Sequence, residues 1–523
     1  MKKIFAAGVL LFAASAVALA QGPVRFDADF EAGAMGKVEL LDSTCVVVRP
    51  GDTVQHLSYV VHGKYDPLNP VDTSLAPSAN WYYYRVTGVK GKQLYITMPD
   101  NGLHGTAYSV DGEHWGHMPL ERSRRGFIEN RFKSDTVWFA MFDPYTYSYG
   151  QKRLAEWGSR PDVEVDTIGW SFQGRPLQLM HVTDASVDAE KKARVWIHGR
   201  IHPSETPGSW LLDGLVEQLT GDSLEAKALR RQIDFYILPF INPDGVAEGL
   251  SRSNPTGVNQ EINFGRSADS TVVEVKAVKA ALARLTAEKP FDIVLNNHSQ
   301  QSDFATYWMH RGETSSMLYQ SRQWTLAGLT CSFNPYLTPE QMSFSHVAPR
   351  YVEGWIWNRF AERTVALTLE TPYTCYLLDT DGEWVTRDNL AEFGRRVLQA
   401  VAECLEISTP DRIIVETPSK PGRRWAAMGE EYSRMGDEGW VAASPGARMK
   451  YSLDFLEAGE WEVYRYVSGC NVAPVRGETF APGTHGWQLV ETFVQKNAGP
   501  FKYVYTAPES GSAADALLLV KRK

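Results

Sequence analysis

The stretch VWIHGRIHPSETPGSW, Val195 to Trp210, places a histidine and a carboxylate three residues apart, at His202 and Glu205. An imidazole nitrogen and a carboxylate oxygen are donors that zinc accepts at about 2.0–2.2 Å, so the pair could form two thirds of a metal site. By itself the spacing proves little, because an ordinary loop can carry both residue types. Later segments offer the missing groups: FDIVLNNHSQ delivers His298, TVALTLETPYT carries Glu370, and FYILPFINPDG delivers the polar turn Asn242 to Gly245. Taken singly, a histidine after a strand is readily a hydrogen-bonded structural residue, and a glutamate a salt-bridge partner. Convergence at one place is what would give them joint chemistry.

The elements around these residues favour convergence. ARVWIHG, DFYILPFI, FDIVLNNH and TVALTLE read as near-continuous apolar strands, and SWLLDGLVEQL, VVEVKAVKAALARLTAE and NLAEFGRRVLQAVAECL as helices. Buried strands alternating with helices imply a layered α/β domain with a largely parallel sheet. Such sheets place ligands at the carboxyl ends of their strands, which is where His202, Asn242, His298 and Glu370 fall. From Phe26 to about Trp138, short runs such as KVELL, TCVVVRP, LSYVVHG, WYYYRVTG and TVWFAMF, cut by turn residues, predict an antiparallel β-sandwich. After EISTPDRIIVETPSKPG the helices stop, and MKYSLDFLEAGEWEVYRYVS, WQLVETFVQ and FKYVYTA predict a second small β-domain.

Four segments in this order resemble the zinc carboxypeptidase family, the M14 metallopeptidases. GRIHPSET is similar to its His-x-x-Glu motif, INPDGV to its Asn-Pro-Asp-Gly turn, NNHSQ to its second-histidine segment and LTLET to the segment bearing its catalytic glutamate. Upstream, FDADFEAGAMGKVEL, WYYYRVTG, YSVDGEHWGHMP and VWFAMFDPYTYSYGQKRL resemble the β-domain that precedes the catalytic domain in the cytosolic-carboxypeptidase subfamily. The resemblance spans roughly Phe26 to Thr409. It implies a mixed-sheet α/β/α catalytic domain over 151–408, preceded by a β-sandwich at 21–150; the β-sandwich expected at 409–523 lies outside this match and faintly resembles modules appended to exported bacterial hydrolases. It also implies one Zn²⁺ per chain on His202, Glu205 and His298, with Glu370 as general base and Arg252, in GLSRSNPTG, stabilising the oxyanion. Tyr351 is a candidate for the tyrosine that closes over substrate, although its offset from Glu370 departs from the family's.

One segment breaks the pattern. Where the family reads Gly-x-Asp-x-Asn-Arg-Asn, this chain has GVNQEINF, so Glu261 and Ile262 replace the Asn-Arg pair that grips a terminal carboxylate. Losing a bidentate arginine and gaining a negative charge should repel that end group. Glu261 would then recognise a positive or zwitterionic group, as in a cell-wall peptide amidase. Otherwise it is structural, and Arg350 or Arg359 supplies the contact. A different class of function is a non-catalytic protein binding peptide or glycan, with the β-domains making cell-wall or glycan contacts.

At 523 residues the chain is too long for one core, and its net charge of −9 without a long basic run argues against nucleic acid as a partner. Residues 1–20, with MKK, an apolar run and ALA before Gln21, read as a bacterial signal peptide without a lipid-anchor cysteine, which predicts export to the periplasm or beyond. No later stretch offers the roughly 18 apolar residues of a membrane span. The five cysteines are odd in number and widely spaced, which argues against a thiolate metal site and leaves one bridge or buried thiols open.

Overall fold

The fold is that of a computed structural model, which describes residues 23–376, 383–428, 439–467 and 486–522; the signal-peptide segment and Cys470 lie outside them. Its centre is an eight-stranded mixed sheet, in the order 163–170, 176–182, 233–238, 193–199, 293–300, 365–372, 306–310 and 343–345. The four strands 233–238, 193–199, 293–300 and 365–372 are mutually parallel, whereas 163–170, 176–182 and 306–310 join antiparallel.

The parallel strands are apolar on both faces because both faces are covered. In Ala193–Gly199, Val195 and Ile197 pack on one side with Leu211, Leu215, Phe393 and Val397, while Trp196 packs on the other with Val278, Leu282 and Ile356. Helices Thr206–Thr220, Met317–Cys331 and Arg387–Cys404 therefore cover one face, and Val273–Leu285 and Val352–Phe360 the other. This is the expected α/β/α layering.

Before it stand two five-stranded sheets, facing each other through Tyr84, Val86 and Phe139 on one and Leu57, Leu94 and Ile96 on the other. That core runs without a break into the layered domain. The strand Val38–Arg49 departs from the half-buried pattern its sequence suggests, since Leu40 to Arg49 are exposed. They form one arm of a hairpin with Asp52–Val61, and nothing among the described residues covers them. After Thr409, small antiparallel sheets enclose a separate core around Trp425, Tyr451 and Trp461. Among the described residues no cysteines are bridged: Cys45, Cys331, Cys375 and Cys404 all carry thiols. No described helix is long and apolar enough to cross a membrane.

Candidate metal centre

The loop after strand Ala193–Gly199 is held by its own arginine. Arg200 adopts a left-handed backbone, φ 53°, and is buried. Its guanidinium donates to Pro203 O, Tyr145 O and Ser209 Oγ, which ties the loop to the helix that follows. The Asn-Pro-Asp-Gly turn buttresses it from the next strand end. Asn242 caps the helix Pro243–Glu248 through Gly245 N at 3.0 Å and donates to Ser253 O at 3.0 Å. A Cβ on Gly245 would lie 2.4 Å from Pro203 Cγ, so only glycine lets the two turns close-pack.

These supports bring three donors together. His202 Nδ1 and His298 Nδ1 each lie 2.8 Å from a different oxygen of Glu205, and all three side chains are buried. His202, Glu205 and His298 form the cluster among the described residues whose ligand atoms could share one ion. Glu370 stands beside His298 in the parallel register, on the neighbouring strand. A cavity of about 430 Å³ opens on the group, with Arg252, Glu261, Tyr351 and Tyr373 in its walls. His202, Glu205, Arg252, Glu261, Tyr351 and Glu370 thus border one space, and His298 stands behind them against Glu205.

The donors suit a divalent cation. Glu205 Oε2 is buried without a well-directed hydrogen bond although His298 Nδ1 is 2.8 Å away, and Glu370 Oε2 is buried without a partner. Burial opposes the charge of His298, but Glu205 and Glu261 outweigh it and raise its pKa to about 10. Burial, reinforced by Glu205 and Glu261 against His298, pushes Glu370 up to about 8. The cluster draws positive charge inward, and a divalent cation on the same donors would displace those protons.

Some neighbours were not legible in the sequence. Asn259 Oδ1 lies 3.2 Å from His202 Nε2 and can accept from it, the outer-shell contact that orients a ligating imidazole. Asp66, from the amino-terminal β-region, accepts the backbone N–H groups of Ser251, Arg252 and Ser253 at 2.7–2.8 Å. Glu261 turns toward the cluster, 3.2 Å from His202 Nε2, 3.5 Å from His298 Nε2 and 3.4 Å from Arg252 Nη2. Against burial, the two histidines and Arg252 hold its carboxyl down to about 2. Arg350 stacks on Tyr351 and Arg359 on Trp355, and neither borders the cavity.

The zinc carboxypeptidase family profile matches residues 156–357, the span that carries His202, Glu205, Arg252 and His298. This stretch thus matches the M14 zinc carboxypeptidase family, and its curated relatives include cytosolic carboxypeptidases. Cytosolic carboxypeptidase 2 of Danio rerio is 29% identical over 305 residues, covering 50% of this chain and 42% of that one. Cytosolic carboxypeptidase 6 of Caenorhabditis elegans is 25% identical over 318 residues, covering 55% and 65%. The chain therefore spans only about half the length of the curated relatives it matches. A metallo-carboxypeptidase structure from Burkholderia cenocepacia shares the M14 fold over 72% of this chain and 98% of its own, with TM-score 0.60 and 21% identity.

Proposed function

We propose that this protein is an exported zinc hydrolase that cuts a peptide or amide bond near a peptide terminus, with end-group specificity unlike that of the ordinary M14 carboxypeptidase. The observation that carries the proposal is the meeting of His202, Glu205 and His298, with Glu370 beside His298, at the wall of one cavity. Export rests on the residues 1–20, whose pattern is that of a signal peptide.

His202, Glu205 and His298 would hold one Zn²⁺, leaving a position free of protein ligands. Bound there, zinc lowers the pKa of water toward about 7 and polarises a carbonyl. Glu370, held beside the ligands, takes the proton from the attacking water and passes it to the departing amine. Arg252 places its fixed charge at the cavity wall, where it meets the developing oxyanion. Asn259 keeps the His202 ring turned for ligation, and Tyr351, at the rim, is placed to cover the substrate.

The changed specificity rests on the cavity's charges. Arg252 is the arginine among its walls, Glu261 occupies the place of the carboxylate-binding asparagine, and Ile262 follows. A terminal carboxylate would approach Glu261 with no second guanidinium to grip it. An amine-bearing peptide end, as in cell-wall peptides, meets no such repulsion.

The purified mature protein should carry about one zinc per chain, measured by metal analysis. Glu370→Gln should keep the zinc and lose at least about 100-fold in hydrolysis. Full activity in Glu370→Gln, or a parent protein that binds no zinc, would refute the assignment.

A further inference from the structure

The helix that begins at Glu205 starts without a cap of its own. Glu205 is the N-cap residue of Thr206–Thr220, the position whose side chain ordinarily accepts a backbone N–H from the first turn. Here it makes no such bond, because its two oxygens are turned to His202 and His298. Thr206 N donates to Ser204 O at 2.8 Å, and Pro207 has no N–H to satisfy. The N–H of buried Gly208, three residues after Glu205, still needs an acceptor.

That acceptor comes from another element. Gly208 N donates to Ser299 Oγ at 3.0 Å, and Ser299 follows His298 on strand Ile293–Gln300. Ser299 Oγ lies 2.9 Å from the hydroxyl of Thr371, which follows Glu370 on strand Val365–Pro372. Thr371 spends its one hydroxyl hydrogen on His298 O at 3.2 Å, so Ser299 must be the donor between the two hydroxyls. The bonds therefore run one way, from Gly208 through Ser299 and Thr371 to His298 O. The strand register sets Ser299 opposite Thr371 and His298 opposite Glu370, so this relay occupies the rung next to the chemistry. Helix and strand meet closely there, since a Cβ on Gly208 would lie 3.3 Å from His298 O. Both hydroxyl residues are buried, and removing either leaves its neighbours' polar groups unmatched.

Resting on the zinc hydrolase reading above, we propose that Ser299 and Thr371 are positioning residues for the ion: they cap the Glu205 helix from the strands of His298 and Glu370, and so free the Glu205 carboxylate for the metal. Without Ser299 Oγ, the Gly208 N–H draws that carboxylate back to its own helix, the usual N-cap arrangement, at the expense of the ion.

Zinc itself is the probe, its affinity measured on the purified mature protein by competition with a chromophoric chelator. Ser299→Ala should bind zinc at least about tenfold more weakly than the parent, as loss of an outer-shell partner does. Thr371→Val keeps the side chain's shape without its hydroxyl and should weaken binding several-fold, whereas Thr371→Ser keeps the hydroxyl and should stay within about twofold of the parent. A plain loss of helix capping is reproduced by Ser223→Ala, because Ser223 Oγ accepts Ala226 N at 3.0 Å at the head of Leu224–Gln232, a helix without ion donors. That variant should melt earlier and bind zinc as the parent does. Unchanged zinc affinity in Ser299→Ala, an equal loss in Ser223→Ala, or equal affinities in Thr371→Val and Thr371→Ser each overturns the proposal. If Ser299→Ala does not fold, the two Thr371 variants decide it. A parent that binds no zinc loses the hydrolase reading and the relay together, whereas a zinc-binding parent with an indifferent Ser299→Ala loses only the relay.

Discussion

The β-region before the layered domain and the β-region after it are attached by equally polar contacts, but to different parts of the molecule. From the first, Asp66 reaches 185 residues along the chain to take the N–H groups on either side of and at Arg252, and Trp81 N donates to Ser251 Oγ at 2.9 Å. Asn80 and Met141 of the same region stand in the cavity wall. The second region is fastened behind the sheet. Buried Glu403, on helix Arg387–Cys404, is paired with Arg396 at 2.6 Å and with Arg412 at 2.5 Å, and Trp487 Nε1 donates to it at 2.9 Å. Among the described residues, none beyond Tyr373 lines the cavity. One appendage is thus part of the site, whereas the described residues of the other bear on the helices behind the sheet.

The sharpest test of this difference is Asp66→Ala. It leaves the buried N–H groups of Ser251 and Ser253 without an acceptor, at about 1–3 kcal/mol each, along with the half-buried one of Arg252, and frees the segment that aims Arg252. Hydrolysis should fall by about 100-fold while zinc stays bound, and Asp66→Asn, which keeps one acceptor oxygen, should lie between. Undiminished turnover in Asp66→Ala would make the amino-terminal region a bystander. The matching change behind the sheet is Glu403→Ala, which strands Arg396 and Arg412 and should cost about 3–5 kcal/mol of stability in denaturant melts. Turnover per folded molecule should hold. A drop comparable to that of Asp66→Ala would erase the contrast.

Acid should loosen the second attachment. Burial opposes the Glu403 charge, but Arg396 and Arg412 overcome it and lower its pKa to about 2. A carboxyl whose folded pKa is depressed contributes stability that is fully present above its unfolded pKa of 4.5 and is lost as pH falls through the folded pKa near 2. Between pH 4.5 and 2 the Glu403 contribution should decline, and Glu403→Gln should flatten that part of the stability profile.

The sequence exposed His202, His298 and Glu370 because each sits at or just after the end of an apolar strand, and Glu205 because it follows His202 by three residues. Strand pattern is local, and the sheet then brings His202, His298 and Glu370 to one edge. The layered fold was readable for the same reason. What stayed hidden depends on contacts across the chain. Asp66 lies in a segment with no regular period, and only the fold brings it to Arg252. Ser299 looks like a small polar residue at a strand's end until the fold sets the helix after Glu205 against it. The exposed arm Leu40 to Arg49 fails in the opposite direction: its residue types suit a sheet surface, but burial depends on a covering layer that residue type does not specify.

Gly257 provides the smallest and most local probe of the amino-terminal contact. Its backbone is left-handed, φ 78°, in the turn between Arg252 and Glu261, and an added Cβ would lie 2.2 Å from Leu68 O. Gly257→Ala must therefore strain the turn and push it away from the segment that carries Asp66, at a cost of about 1–3 kcal/mol. Because the ion donors lie on other loops and this turn supports them only through Asn259, zinc affinity should change less than kcat, which should fall several-fold as Arg252 and Glu261 shift. If Gly257→Ala lowers zinc affinity and kcat together, the amino-terminal region supports the whole centre. If kcat alone falls, its influence passes through the Arg252 segment.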